Sequence, residues 1–304
     1  MCRFLCYSGP TAPLSDLLYR PGHSLIVQSY RANERAEPLN GDGFGVGWYA
    51  PEVAPTPCVF TSVSPAWSNQ NLRRLAEHVR SPLFFAHVRA ASVGMEVSEA
   101  NCHPFQYGRY LWMHNGEVAA FARIKRRLRH SLPDRLYEAV RGSTDSEHAF
   151  AVFLDLLGDT DAPHTPRDIA RALVETVARL EEWTAEAGTQ APSYYNLAVT
   201  DGASIVAVRY VSDPILEPIS LYFRVVGEPP DGRCATDAPE RAVMLASERL
   251  SGNKAEWRRV APNHAVIVSA DREVKVELLP VPLTSRYART QSAPPPPVRG
   301  GLVT

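Results

Sequence analysis

The chain has 304 residues, of which 45% are hydrophobic and 21% charged, and its formal net charge is −1. This composition is typical of a globular protein with a substantial core, and the near-zero charge gives no electrostatic basis for a nucleic-acid or anionic-membrane partner. No run of about 18 apolar residues could span a membrane, and the first twenty residues lack the features of a secretory signal. We therefore expect a cytoplasmic protein that has neither a nucleic acid nor a membrane as partner.

The five cysteines form an odd, scattered set: Cys2, Cys6, Cys58, Cys102 and Cys234. They include no C-x-x-C pair and no His/Cys cluster at zinc-binding spacing. Free thiols in a reducing compartment are the better interpretation. No motif predicts a metal site or an organic cofactor.

The first block of the chain, up to about Asn115, predicts short strands and one helix. The helix is predicted where Leu72, Leu75, Ala76 and Val79 recur at helical spacing. The strands are predicted at 2–7, 45–49, 83–90 and 110–114. The first of them is unusual, because a chain terminus is ordinarily frayed and here it leads directly into an apolar strand.

The second block is helical. Thr144 and Glu147 have the spacing of a capping box, and an apolar stripe follows them to Leu157. A further helix is predicted over 166–187. The basic segment 122–130 predicts a solvated helix face, with docking of a partner as the less favoured alternative.

The third block returns to strands. Segments 195–200 and 204–210 flank Asp201-Gly202, a strong hairpin signal. Further strands are predicted at 219–226, 242–247, 265–269 and 274–279. Strands, then helices, then strands indicate an α+β fold with mainly antiparallel sheets. The Pro- and Gly-rich end predicts a disordered or polyproline II tail over 285–304, after a folded domain over 1–284.

A cysteine at position 2 has a chemical option that an internal cysteine lacks. Aminopeptidases remove Met1 when the next side chain is small, which would leave Cys2 with a free α-amine. A free thiol is only a few per cent thiolate at pH 7, and an α-amine titrates at about 7.7 to 8.0. The amine could therefore take the thiol proton without a histidine. The alternative is that Cys2 is simply a small core residue.

Four further stretches accompany this cysteine: "NGDGFGVGWY" (40–49), "FFAHVRAAS" (84–92), "NCHPFQYGRYLWMHNGEV" (101–118) and "GSTDSE" (142–147). In this order and at these separations they resemble the class II glutamine amidotransferases, which are N-terminal nucleophile hydrolases. The resemblance covers about residues 1 to 280. "RAEPLNGDGFGVGWY" and the later "LASERL" resemble the branch that contains the amidotransferase subunit of the fungal glutathione-degrading complex. Arg249 stands where that branch has proline, a departure expected at the edge of the site.

The resemblance implies a four-layer αββα sandwich, with two antiparallel sheets face to face and helices outside. It also implies a binding site for a γ-glutamyl group, with Cys2 as the nucleophile. Arg89 would grip the α-carboxylate, although a surface salt bridge is the alternative. Asp145 would take the α-ammonium, although an acidic residue in the first turn of a helix is favoured in any case.

Asn115 and Gly116 are expected to follow a strand and to stabilise the oxyanion through a side-chain amide and a backbone N–H. The alternative is a hairpin turn, since Asn-Gly is a strong turn signal. Gly41, Asp42 and Gly43 are expected to form a loop that brings backbone close to the nucleophile.

The remaining expected substrate-binding residues are His87, Ser92 and His103, of which His103 would shape the pocket together with Asn101 and Phe105. A papain-like pairing of Cys102 with a histidine is disfavoured, because such a thiol needs a helix start or a positive neighbourhood. The segment "NCHPF" instead predicts a loop.

These residues predict hydrolysis of a γ-glutamyl amide in a small molecule such as glutamine or glutathione. Three alternatives stay open: a glutaminase subunit that feeds ammonia to a separate synthase, an enzyme that trims a γ-glutamyl thiol-histidine compound as in the ergothioneine pathway, and a non-catalytic γ-glutamyl-binding module. A partner peptidase or synthase subunit is compatible with the sequence, and the oligomeric state is not predicted by it.

Overall fold

The computed structural model describes residues 2–34, 39–91, 94–227 and 240–281. Ser92, Cys234 and the predicted tail 285–304 lie outside the described residues. The four described cysteines all carry free thiols.

Thirteen strands are present in the described ranges. They are β1 (Arg3–Pro13), β2 (Phe44–Trp48), β3 (Cys58–Ser62), β4 (Arg80–Val88), β5 (Phe105–Tyr107), β6 (Tyr110–Glu117), β7 (Tyr194–Thr200), β8 (Ile205–Val211), β9 (Tyr222–Val226), β10 (Ala242–Ala246), β11 (Arg258–Arg259), β12 (His264–Val268) and β13 (Val274–Leu278). They pair antiparallel in two sheets, ordered β11-β9-β10-β1-β4-β2-β3 and β13-β12-β8-β7-β6-β5. The first strand is central in its sheet, which explains why the segment after Cys2 is apolar.

Within the part of the chain that the structure describes, seven α-helices cover the outer faces of the sheets. They are α1 (Ser15–Leu18), α2 (Leu25–Tyr30), α3 (Gln70–His78), α4 (Phe121–Ser131), α5 (Asp134–Ala139), α6 (Asp145–Leu157) and α7 (Pro166–Glu186). The first three pack on the seven-stranded sheet, and the other four on the six-stranded sheet. No helix in the described ranges is long and apolar enough to cross a membrane.

The core has three parts, one between the sheets and one under each helical layer. Side chains of β1 alternate between two of them, as the period of a strand requires. Phe4 and Cys6 face the second sheet, whereas Leu5 and Tyr7 face the helices. The predicted four-layer αββα sandwich is thus confirmed.

The start of α6 shows half of the predicted capping box. The Thr144 hydroxyl accepts a hydrogen bond from the Glu147 N–H at 3.2 Å. The Glu147 carboxylate does not complete the box, because it accepts instead from the N–H groups of Arg141 and Gly142, at 2.9 and 2.6 Å. The side chain therefore fixes the loop before the helix.

Asn115 and Gly116 do not follow a strand, and the hairpin-turn alternative for them is wrong. Strand β6 continues through both residues to Glu117, with Asn115 opposite Asn196 and Gly116 opposite Tyr195. Glycine is required at 116 because a Cβ there would collide with the Tyr194 carbonyl oxygen. An Asn-Gly pair here serves close strand packing instead of a turn.

Candidate active site

Cys2 immediately precedes the central strand β1 and is half-buried. Its Sγ lies 3.5 Å from the N–H of Ala90 and 3.6 Å from the Ala90 carbonyl oxygen. Ala90 follows the end of β4, the neighbouring strand. The thiol is therefore held against the backbone at one end of the sheet while it keeps access to solvent.

An ion pair fixes the strand just behind Cys2. Arg3 is fully buried, and its Nε donates to Glu248 Oε1 at 2.6 Å, while Nη1 donates to the Cys2 carbonyl oxygen at 2.9 Å. Burial opposes the charge on Glu248, but the hydrogen bond from His23 and the charge of Arg3 outweigh it and lower the pKa of that carboxyl to about 2. The guanidinium thus ties the backbone of Cys2 to an ionised carboxylate.

Asn115 reaches strand β1 through a serine. Its Nδ2 lies 3.4 Å from Ser247 Oγ, and the same hydroxyl accepts from the N–H of Phe4 at 3.0 Å. The Asn115 amide is fully buried, and its Oδ1 has no hydrogen-bond partner within the described ranges. An amide with one N–H in use has a second N–H to offer.

Arg89 lies directly after β4 and is 3% exposed. Its guanidinium donates to the carbonyl oxygens of Asp42 and Glu96, at 3.4 and 3.0 Å. Since a guanidinium has five N–H donors, several stay available for a carboxylate. The backbone of Arg89 also bonds the loop that precedes β2: its carbonyl oxygen accepts from the Asp42 N–H at 3.0 Å, and its N–H donates to the Gly43 carbonyl oxygen at 2.8 Å.

The Gly41–Gly43 loop is fixed in three ways. The Asp42 carboxylate accepts from the N–H of Ala91 at 2.8 Å. Gly43 has φ +113°, which favours glycine, and a Cβ there would lie 2.7 Å from Cys102 Sγ. Gly41 packs against the ring of Trp67, 3.0 Å from the site of its missing Cβ. The loop thereby closes on the same end of the sheet as Cys2.

Asp145 is the first residue of α6, where the helix dipole favours a negative charge. Its Oδ2 accepts from the N–H of Val118 at 2.8 Å, and its Oδ1 from the N–H and hydroxyl of Ser146, at 2.8 and 3.1 Å. Three donors leave about one of the four lone-pair sites of a carboxylate open.

His87 and His103 form a buried stack with ring centroids 4.2 Å apart. His87 Nε2 donates to the His114 carbonyl oxygen at 3.3 Å, which links β4 to β6. Burial lowers the pKa of His87 to about 3 and that of His103 well below its ordinary value, and the Arg89 guanidinium adds to both effects. Both rings are neutral, and their contact with a substrate stays a prediction.

Cys102 has none of the features of a catalytic thiol. Its Sγ lies near the carbonyl oxygens of Ser62 and Ser98, at 3.7 and 3.5 Å, and burial raises its pKa to about 11. It borders a cavity of about 460 Å³ whose other walls include Phe105, Phe150 and Leu154. Neither Cys2 nor Arg89 lines that cavity, so volume alone would misplace the site.

Sequence reasoning missed the role of Ser247 and Glu248. Both lie just past β10, in the quoted "LASERL" segment.

Asn101, which the sequence predicts to shape the pocket, joins two loops: its Oδ1 accepts from the Ser143 N–H at 2.8 Å, and its Nδ2 donates to the Glu96 carbonyl at 3.0 Å. A polar residue that is buried within a motif indicates such hydrogen bonds between loops, because buried polar groups are nearly always hydrogen-bonded.

A cysteine at the head of a central strand, in a four-layer sandwich of two antiparallel sheets, is the arrangement of the N-terminal nucleophile hydrolases. Within that fold the chain belongs to the class II glutamine amidotransferases, since the family model "Glutamine amidotransferases class-II" matches residues 22–221. It is 39% identical to "Probable glutamine amidotransferase DUG3" of Saccharomyces cerevisiae, over 88% of this chain and 82% of the relative.

Three further proteins are similar to this chain in sequence or fold. The chain is 34% identical to the "Gamma-glutamyl-hercynylcysteine sulfoxide hydrolase" of Mycobacterium tuberculosis, over 53% of this chain and 65% of the relative. A solved class II domain protein from Silicibacter pomeroyi superposes with a TM-score of 0.63 at 28% identity, covering 91% of this chain and 99% of that one. The phosphoribosylpyrophosphate amidotransferase of Bacillus subtilis shares the fold, with a TM-score of 0.58 at 14% identity, over 93% of this chain and 50% of that one.

Proposed function

We propose that the protein hydrolyses a γ-glutamyl amide bond through a thioester on Cys2. The observation that carries this proposal is the position of the Cys2 thiol. It lies directly before the central strand and within hydrogen-bonding distance of the backbone of Ala90, which follows Arg89. Asn115 reaches the same strand through Ser247. A thiol, a guanidinium and a side-chain amide thus lie at one end of the sandwich, and this arrangement supports the proposal.

The proposed reaction begins once Met1 has been removed. The free α-amine of Cys2 takes the thiol proton, and Sγ attacks the γ-carbonyl carbon of the substrate. The Asn115 amide and the Gly116 N–H stabilise the negative oxygen. The α-ammonium then protonates the leaving nitrogen as the C–N bond breaks, which leaves a γ-glutamyl thioester and a free amine or ammonia.

The same amine completes the cycle. It takes a proton from a water molecule, whose oxygen attacks the thioester carbon, and the proton returns to the departing sulfur. Glutamate leaves and the thiol is restored. In both steps the α-amine of Cys2 acts first as base and then as acid. The proposed mechanism therefore needs no histidine.

Recognition of the glutamyl head is assigned to Arg89 and Asp145. The free N–H groups of the buried guanidinium suit a two-point bond to the α-carboxylate, and the open lone pair of Asp145 suits the α-ammonium. Charged hydrogen bonds are worth roughly 1.5 to 3 kcal/mol each. Two such contacts would select substrates with an unmodified glutamyl head.

The substrate class we favour is a γ-glutamyl compound such as glutathione, with glutamine as the smaller alternative. Support comes from the names of two relatives, one a probable glutamine amidotransferase and the other a γ-glutamyl-hercynylcysteine sulfoxide hydrolase. The same proposal is compatible with a partner peptidase or synthase subunit that completes the reaction.

The thioester itself is the sharpest test. Purified protein is mixed with glutathione or glutamine, quenched in acid within the first turnover and digested, and its peptides are analysed by mass spectrometry. We expect one glutamyl group on the N-terminal peptide, attached to Cys2 and released by hydroxylamine. Cys102→Ala should label equally, whereas labelling at Cys102, or none on either substrate, would contradict the mechanism.

A further inference from the structure

A depression on the surface of the protein is lined mainly by basic side chains of helix α4. Its volume is about 400 Å³, which lies within the range of small-molecule sites, about 300 to 1,000 Å³. Helices α4 and α5 supply its lining residues, and this depression is called the α4 basic site below. The lining residues are Ala122, Lys125, Arg126, Arg129, His130 and Tyr137.

The spacing of the lining residues puts them on one face of α4. Residues three and four apart are neighbours on a helix surface, and positions 122, 125, 126, 129 and 130 follow this spacing. The buried face of the helix is formed by Ile124 and Leu128. Like charges at this spacing repel each other, so Lys125 and Arg129 favour a negative group that lies between them.

Other basic residues of α4 have partners that the residues of the site lack. Arg127 forms an ion pair with Glu186 on α7, and Arg123 donates to a carbonyl oxygen at the end of α7 at 3.3 Å. Within the described part of the chain, by contrast, no residue forms an ion pair or hydrogen bond with the guanidinium of Arg126 or Arg129. The charge of α4 is thus neutralised toward α7 and left open toward α5.

Two of the cations are held in place and still have donors to offer. The Arg129 guanidinium carbon lies 4.4 Å from the centroid of the Tyr137 ring, and its Nε is buried with no hydrogen-bond partner among the described residues. Lys125 Nζ lies 3.5 Å from the Ser143 carbonyl oxygen and 5.7 Å from the centroid of the Phe121 ring. Since a guanidinium has five N–H donors and an ammonium has three, both groups can bind a ligand where they stand.

The charges of the site favour an anion with more than one negative charge. Lys125, Arg126 and Arg129 carry permanent positive charges, and no acidic residue of the described chain lines the site. The charge of Arg129 acts on the buried Glu147 carboxylate, but that carboxylate already accepts from two backbone N–H groups, at 2.9 and 2.6 Å. Even with the charge of Glu147 counted, the positive charges of the site are in excess by two.

We infer that the α4 basic site binds a small molecule through a phosphate group, with Arg126 and Arg129 on the phosphate oxygens and Lys125 as the third cation. A phosphate group carries a charge of about −1.5 to −2 and three acceptor oxygens, and the planar guanidinium matches its geometry. Helix α4 covers the outer face of the six-stranded sheet, whereas Cys2 precedes a strand of the other sheet. The inference therefore does not depend on the proposed function.

Calorimetry at low ionic strength tests this inference, with inorganic phosphate as the probe and succinate as a dicarboxylate of similar charge. We expect one phosphate per chain, bound more tightly than succinate. The Arg126→Gln, Arg129→Gln double variant should bind phosphate about tenfold or more weakly, in line with the loss of one or more charged hydrogen bonds. Arg126 is exposed, so Arg126→Gln should keep the fold and weaken binding in the same direction.

The matched control changes the same number of charges elsewhere. Arg73 and Arg74 are exposed on α3, outside the α4 basic site, and the Arg73→Gln, Arg74→Gln double variant should bind phosphate as the wild type does. Equal losses in the two double variants would show that phosphate only screens surface charge. That result, succinate binding as tight as phosphate binding, or no phosphate binding by the wild type would each overturn the inference.

Discussion

Asn115 and Asn196 are matched residues with different surroundings. They face each other across β6 and β7, and both are fully buried. The Asn196 Nδ2 donates to the carbonyl oxygens of Ile219 and Ser220, at 3.3 and 2.8 Å. Of these two amides, that of Asn115 is the one joined to β1 through Ser247.

We therefore predict that Asn115→Ala lowers kcat for a γ-glutamyl amide about a hundredfold or more, as loss of an oxyanion donor does. KM should stay within about threefold, because the donor acts mainly in the transition state. Steady-state kinetics measure both constants. Asn196→Ala should lower stability but keep kcat within about threefold, and equal losses of kcat in the two variants would remove Asn115 from the oxyanion site.

Arg89→Lys should affect binding more than turnover. Lysine keeps the charge but cannot form the paired N–H contacts of a guanidinium. We expect KM for glutamine or glutathione to rise about tenfold or more, in line with one charged hydrogen bond. Product inhibition by glutamate should weaken in parallel, and an unchanged inhibition constant for glutamate would show that Arg89 does not hold the α-carboxylate.

The sequence predicts the candidate site residues themselves, but it does not predict the residues that hydrogen-bond them in place. Cys2, Arg89 and Asp145 each carry a group that γ-glutamyl chemistry requires, and each lies in a recognisable motif. Ser247 and Glu248 act on β1 from more than 240 positions away along the chain. Such pairing is set by which strands become neighbours, and local pattern does not encode it.

At the level of elements, the junction of β1 with the end of β10 depends on the Arg3–Glu248 ion pair. Both side chains are at most 1% exposed. Removing one member of a buried pair leaves the other charge uncompensated, so Glu248→Ala should lower the free energy of unfolding by about 3 to 5 kcal/mol. Urea denaturation measures this. Glu217→Ala removes the half-exposed partner of Arg209 and should lower the free energy of unfolding by clearly less. Equal losses of stability in the two variants would contradict the account.

Element prediction succeeded where a segment is long and periodic. The helix that the sequence predicts over 166–187 is confirmed as α7, Pro166–Glu186, because its apolar face extends over many turns, and the structure adds a capping box at Thr165. Strands β3 and β5 and the short helices α1 and α2 were not predicted, because segments of three to six residues carry no clear period. The strand predicted over 110–114 extends to Glu117 in the structure, because pairing with β7 outweighs the turn preference of Asn-Gly.

For the whole molecule, the neutral histidines between the sheets predict sensitivity to acid. Burial, with a contribution from Arg89, lowers the pKa of His87 to about 3 and that of His103 well below its ordinary value near 6.5. Between pH 6.5 and 5 the unfolded chain binds protons that the folded chain does not, so stability falls as the pH falls. The loss should be about 2 kcal/mol for His87 over this interval, and His103 should add to it in the same direction. Glu248, whose pKa is about 2, adds to it only below about pH 4.5.

His103→Phe tests this pH dependence. Neither ring nitrogen of His103 has a hydrogen-bond partner in the described ranges, so phenylalanine removes a titratable group without breaking a bond. Urea denaturation at pH 7 and pH 5 should show a smaller difference for the variant than for the wild type. The exposed His130→Gln should behave as the wild type, and an unchanged difference in His103→Phe would contradict the assignment.

The architecture as a whole followed from family resemblance more than from periodicity. The order of blocks predicted α+β with antiparallel sheets, but not that two sheets would stack with the N-terminal strand at the centre of one of them. That arrangement is what turns a cysteine near the terminus into the head of a central strand.

The central claim is that Cys2 is the nucleophile of a γ-glutamyl amide hydrolase, and glutamate release tests it most directly. Glutamate is measured with glutamine and with glutathione as substrates, for protein whose intact mass shows loss of Met1, beside Cys2→Ala and Cys102→Ala. We predict release from at least one substrate, abolished in Cys2→Ala and retained in Cys102→Ala. Release that persists in Cys2→Ala, or no release from either substrate by the processed protein, would contradict the account.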